Sequence, residues 1–330
     1  MAKVSDHDGS IPSAAVGVWA TSSEARHFRV RYERVSQMLS GMPGAATVPL
    51  DVEAQIIGVP VAEIALIRRE LLARVNEAAQ ALSVDTVVRA TIDQAITSWS
   101  GRTLVCLGDS ITADRQSWAH ILQTLLRDEV FVVNSGRSGD TTGHLISRFH
   151  ASVTPFEPDG VIVLAGTNDG RQYTADLDAL YGLSPEATSD EETRKNYLSL
   201  EALIVNTGAT SMWIAPPPVI DSRIAQHPGI RSAYARWSDD ASGRKASILF
   251  ELFSNVRPAL IDTDDLGALS ELISSDGLHP TLRGQVHIAT QAIRLLATTE
   301  PPQDKYRGEP NMNSELHERV FTREADEKHG

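Results

Sequence analysis

Cysteine is almost absent. Cys106 is the only one in 330 residues, so no disulfide within the chain can staple the fold. Aromatic residues are few, at 5%. Positive charge is short: 30 Lys and Arg stand against 43 Asp and Glu, a formal charge of −13. Nucleic acid is held by clustered Lys and Arg, so it is an unsuitable partner. An anionic membrane surface is unsuitable for the same reason. No run is long and apolar enough to cross a bilayer. The most tempting uncharged stretch, 202–220, contains Asn206, Gly208 and Pro216, Pro217 and Pro218. A secretory leader needs a basic start followed by an apolar run. Here Lys3 is followed by Asp6 and Asp8, and residues 11–20 are broken by Pro12 and Ser13. A cytoplasmic location is therefore the expectation. The sequence has no Walker loop and no Gly-x-Gly-x-x-Gly after a strand, so no nucleotide cofactor is expected. His144 and His150 lack carboxylates at ligand spacing, so no metal site is expected either.

What is present suits a globular chain. Hydrophobic residues make up 42% and charged residues 22%. A chain of this length can bury roughly 75% of the surface exposed on unfolding. Three parts are expected: a mostly helical region over 1–100, alternating strands and helices over 101–298, and a polar tail over 299–330. In the first part Phe28, Val35, Met38 and Leu39 recur at helical spacing, with Gly41 as a stop. A longer helix starts after Pro60 and places Ile64, Ile67, Leu71, Val75, Ala78 and Leu82 on one stripe. A third opens at Ser83 and turns Val87, Val88, Ile92, Ala95, Ile96 and Trp99 inward. These helices can serve as a packing extension, a lid or a surface for self-association into a homo-oligomer.

The middle part has an α/β rhythm. Apolar runs at 103–107, 130–133, 161–165 and 211–215 are followed by small and polar residues, and a fifth run starts at Leu260 and Ile261. Helices are expected near 118–127, 142–149, 191–206 and 230–252. Continuous rather than alternating apolar runs mark strands buried on both faces of a parallel sheet. Ligands bind beyond the carboxyl ends of such strands. Asp109 and Ser110, Asn134 and Gly136, and Asn168 and Asp169 all fall at that edge.

A serine alcohol attacks only when a base takes its proton. Ser110 sits at a strand end in Gly108-Asp109-Ser110. His279 lies in Asp276-Gly277-Leu278-His279-Pro280, before the last helix. A carboxylate three residues upstream in a tight loop can reach the imidazole Nδ1 and leave Nε2 for the serine, which is Ser-His-Asp logic on one short loop. The N–H groups of Ser110 and Gly136 and the Asn168 amide are suited to stabilising a developing oxyanion.

These blocks resemble the four motifs of the SGNH/GDSL hydrolase superfamily, in the family's order: Gly108-Asp109-Ser110, Gly136 within Asn134-Ser135-Gly136-Arg137-Ser138-Gly139, Asn168 within Gly166-Thr167-Asn168-Asp169, and Asp276-x-x-His279. Ile111-Thr112 replaces the Leu of the family's older name. The resemblance covers about residues 101–298 and not the first hundred. It implies a flavodoxin-like three-layer α/β/α fold and hydrolysis of ester or related acyl bonds without a cofactor. Ser110 would be the nucleophile and His279 the base oriented by Asp276, with Ser110, Gly136 and Asn168 as oxyanion donors. Small acyl or carbohydrate esters are the favoured substrates, and acyl transfer to an alcohol or sugar is the alternative. Asp109 and Asp169 suit a structural role, bonding backbone N–H groups, better than a catalytic one. Arg137 and Arg171 flank the oxyanion loops. Arg115 and Trp118 follow the nucleophile. For these four, contact with substrate competes with an ordinary surface or core role.

Overall fold

The computed structural model describes residues 19–38, 48–126, 128–173, 186–231, 235–260 and 266–303. Five parallel strands form the central sheet: β1 (Thr103–Gly108), β2 (Phe131–Gly136), β3 (Gly160–Leu164), β4 (Thr210–Ala215) and β5 (Val256–Pro258). Their order is β2-β1-β3-β4-β5. This is the flavodoxin-like doubly wound order. The helices that follow are α1 (Ser23–Tyr32), α2 (Leu50–Ile57), α3 (Val61–Val84), α4 (Thr86–Trp99), α5 (Ser110–Ala113), α6 (Trp118–Leu126), α7 (Thr142–Ser152), α8 (Asp190–Asn206), α9 (Asp239–Leu252) and α10 (Leu282–Thr298).

Alternation along the strands builds two cores. Leu104, Cys106, Ile162, Leu164, Met212 and Ile214 face one layer with α3, α4, α6 and α10. Val105, Leu107, Val161, Val163, Trp213 and Ala215 face the other with α7, α8 and α9. The fold is therefore a three-layer α/β/α sandwich. The second half of α3 and all of α4 complete the first layer, through Val75, Ala78, Leu82, Ile92, Ala95 and Trp99. The first half of α3 gathers α1 and α2 into a smaller cluster with Val30, Ala54, Ile57, Ile64, Ile67 and Leu71. The stripe expected on α3 is buried throughout.

Several boundaries differ from expectation. The first helix ends at Tyr32, Glu33 is extended, and a short turn follows over Val35–Met38. Leu39 and Gly41 lie outside the described residues. The cap that opens α4 is Asp85, whose Oδ1 accepts from the Val87 and Val88 amides at 3.0 Å, and not Ser83. At 100° per residue Val87 stands about 140° round the helix from the buried Ile92, and it faces outward, 74% exposed. The fifth strand comes earlier than Leu260, and Ile261 is outside the described residues. β5 is an edge strand only partly buried, so nothing demands an apolar run there. The helix expected over 230–252 starts at Asp239, capped by Ser238 with Asp239 and Asp240 in its first turn. Before it, Ala235–Arg236 pairs antiparallel with Gln172–Tyr173. Of the polar tail, residues 304–330 lie outside the described residues. Among the described residues no helix is long and apolar enough to cross a membrane.

Candidate active site

The register of the sheet brings the four motifs to one edge. Gly108 at the end of β1 pairs with Gly136 of β2 and with Leu164 of β3. Ser110 lies two residues past Gly108, and Asn168 four past Leu164. Asp109 is the N-cap of α5, and its Oδ1 accepts from the Ile111 amide at 2.9 Å. Ser110 is thereby the first residue of a helical turn, where an amide has no partner within the helix. Gly136 closes the other wall. A Cβ there would lie 2.3 Å from the Ala113 nitrogen, so only glycine lets β2 end against the nucleophile turn.

His279 comes from the loop before α10. Asp276 organises that loop: its Oδ1 accepts from the amides of Leu278 and His279, both at 2.9 Å, and from Ser274 Oγ at 2.6 Å. Gly277 has φ +78°, and a Cβ there would meet the Ile220 carbonyl at 2.5 Å. The other Asp276 oxygen lies 2.7 Å from His279 Nδ1, and His279 Nε2 lies 3.0 Å from Ser110 Oγ. Burial opposes ionisation of Asp276. The charge of His279 and the hydrogen bonds from His279 and Ser274 outweigh it and hold the carboxyl well below the usual range. An ionised carboxylate only accepts, so His279 Nδ1–H donates to it and Nε2 is the nitrogen turned to the serine hydroxyl.

The expected oxyanion donors are partly engaged. Gly136 N–H donates to Asn134 Oδ1 at 2.9 Å, and Asn168 Nδ2 donates one proton to the Asp140 carbonyl at 3.0 Å. An amide nitrogen carries two protons, which leaves Asn168 a second to offer. Asp169 bonds the start of α7, accepting from Thr142 Oγ1 at 2.5 Å and Thr142 N at 3.0 Å. Asp109 is fully buried, and burial pushes its carboxyl up to about 7. Its Oδ2 has no hydrogen-bond partner among the described residues. Arg115 is held elsewhere, by the Val30 carbonyl at 2.8 Å and Glu53 at 3.2 Å. Trp118 is buried with its Nε1 donating to Thr112 Oγ1. Arg137 forms an ion pair with Asp140 at 3.8 Å and donates its amide to the Gly108 carbonyl. The Arg171 amide closes the turn on the Asn168 carbonyl.

Sequence reasoning missed three supports. Arg148 on α7 bonds Asp140 and the Gly108 and Ser135 carbonyls, joining the ends of β1 and β2. Gln285 on α10 accepts from the Trp118 amide and donates to the Ile111 carbonyl and Asp114. The third is α1: the Tyr32 ring stacks on His279, with centroids 4.1 Å apart and planes at 28°, and Phe28 meets the same ring edge-on at 5.8 Å. Thr281, a residue type favoured at N-caps, hints locally at how α10 starts. No local signal links α1 to His279.

The GDSL-like lipase/acylhydrolase family model matches residues 106–286. The chain is 26% identical to Esterase TesA of Pseudomonas aeruginosa over 196 residues, covering 56% of this chain and 83% of that protein. It is 31% identical over 131 residues to an arylesterase of Vibrio mimicus, covering 37% of this chain and 58% of that one. A lipase/acylhydrolase structure from Enterococcus faecalis superposes with a TM-score of 0.46 at 22% identity, over 62% of this chain and all of that one. With the family model spanning more than half its length, the chain belongs to the GDSL-like lipase/acylhydrolase family, whose members hydrolyse ester bonds.

Proposed function

We propose that the protein is a serine esterase acting through an acyl-enzyme, with Ser110 as nucleophile, His279 as base and Asp276 as its orienting acid. One observation carries the reading: the unbroken row Ser110 Oγ, His279 Nε2, His279 Nδ1, Asp276 Oδ2, with contacts of 3.0 and 2.7 Å. His279 takes the serine proton as Oγ bonds to the ester carbonyl carbon. The oxyanion is met by Ser110 N–H, the second Asn168 proton and Gly136 N–H, the last after leaving Asn134. His279 then gives its proton to the leaving alcohol, and the same base activates water to release the acid. Small acyl and carbohydrate esters are the substrates of choice, and the esterase names of the two relatives support the reaction class. Ser110→Ala should lower turnover of p-nitrophenyl acetate by at least about 10³-fold while circular dichroism stays that of the wild type. Wild-type rates in a folded Ser110→Ala protein would sink the assignment.

The same acyl-enzyme also permits a second reading, in which an alcohol or sugar takes the acyl group in place of water. Adding alcohols to the activated-ester assay separates the two. An alkyl or glycosyl ester as main product indicates transfer, and free acid alone indicates hydrolysis.

A further inference from the structure

We infer that α1, which lies outside the family's matched segment, is a working part of this active site, with Arg31 and Tyr32 as positioning residues for the serine–histidine pair. The inference rests on the catalytic reading of Ser110 and His279.

Ser110 and His279 stand on separate pieces of chain, 169 residues apart. Their hydrogen bond is only as constant as the spacing of those pieces. Arg31 joins them. Its guanidinium grips Asp114 with Nε on Oδ1 at 2.8 Å and Nη2 on Oδ2 at 2.6 Å. The same Nη2 donates to the Pro280 carbonyl at 3.0 Å. Asp114 closes the nucleophile turn, its amide donating to the Ser110 carbonyl at 2.9 Å. Pro280 is the residue after the histidine. One planar cation therefore ties the end of α5 to the base loop. Burial works against the charge of Arg31, and Asp114 more than offsets it, so the guanidinium stays ionised. A forked donor at a buried carboxylate fixes direction as well as distance, which a lysine cannot do.

Tyr32 acts on the imidazole itself. Asp276 holds the ring at Nδ1, and small rotations about χ1 and χ2 can still swing Nε2 away from the serine. A parallel aromatic face 4.1 Å away removes that freedom. The Tyr32 carbonyl also accepts from Ser138 Oγ, two residues past Gly136. Residues 31 and 32 thus touch the segments carrying the nucleophile, the base and one oxyanion donor. The Tyr32 hydroxyl is buried and has no hydrogen-bond partner among the described residues. The ring, not the hydroxyl, is what the site uses.

The test uses the full chain with Arg31→Lys, Tyr32→Leu, Tyr32→Phe and Ser110→Ala. Thermal unfolding reports folding, and titration with a fluorophosphonate counts competent sites. On p-nitrophenyl acetate, Arg31→Lys and Tyr32→Leu should lower kcat per titrated site by about ten- to a hundredfold, with KM within about twofold of the wild type. Tyr32→Phe should return kcat to within about twofold, because it keeps the ring. A purely structural role would reduce the number of competent sites and the Tm, and leave kcat per site unchanged. That result in either variant, with Ser110→Ala inactive, overturns the role of α1 and leaves the serine mechanism standing. If Arg31→Lys does not fold, the Tyr32 pair decides alone. Activity in Ser110→Ala removes both claims together.

Discussion

Asp109 shows how one residue can serve the site at a cost in stability. Its first oxygen caps the nucleophile turn, and its second is buried without a partner among the described residues. Burial, aided by the nearby Asp140 and Asp169, raises its carboxyl from 3.8 to about 7, against the pull of the Ile111 amide and His279. In the unfolded chain the group ionises near 3.8. Between about 4 and 7 the unfolded state has released a proton that the folded state still holds, so stability contributed by this group is full below 3.8 and is lost as pH rises to 7. Asn keeps the capping oxygen and cannot ionise. Asp109→Asn should therefore gain stability on the wild type as pH rises from 4 to 7, read as the difference in urea midpoints. Parallel midpoints across that range would contradict the buried-charge account. Asp276 has the opposite sign. Its carboxyl is depressed, so what it contributes is present at neutral pH and lost in acid. The two carboxylates thus differ because Asp276 is given three donors and a histidine and Asp109 a single amide.

Among the elements, α4 shows why the helices before residue 101 cannot be treated as an ornament. Trp99 at its end is fully buried, and its Nε1 donates to the Leu296 and Thr299 carbonyls at 3.0 and 3.1 Å. The ring lies against Gly160, where a Cβ would come within 2.7 Å of it. Trp99→Ala leaves a large cavity between α4, α10 and β3. It should cost about 3–5 kcal/mol of unfolding free energy by urea titration. A loss under 1 kcal/mol would mean that this contact is not part of the core. The helical stripe of α3 was legible because every residue of it faces a core, although two different ones. The start of α4 was not, because Ser83 and Asp85 are both good caps and only the fold chooses. β5 was misplaced because an edge strand need not be apolar on either face.

Seen whole, the molecule is a sandwich whose one polar edge collects residues from four distant stretches. The strands, their parallel arrangement and the residues at their carboxyl ends were readable because two-sided burial demands continuous apolar runs and leaves small polar residues where they stop. The Asp276–His279 pair was readable because both members share a four-residue loop with a glycine. Other features were decided only by folding. The capture of Arg115 by Val30 and Glu53 depends on α1 and α2 reaching the nucleophile turn, and the brace of Arg148 depends on which strand ends meet. The arrival of Tyr32 over His279 depends on α1 being pinned by Arg31 to Asp114, 83 residues away. Local sequence determines periodicity, caps and short-loop geometry, because these act over a few residues. Contacts between residues far apart in the chain carry no local signature, and only the packing of the layers decides them.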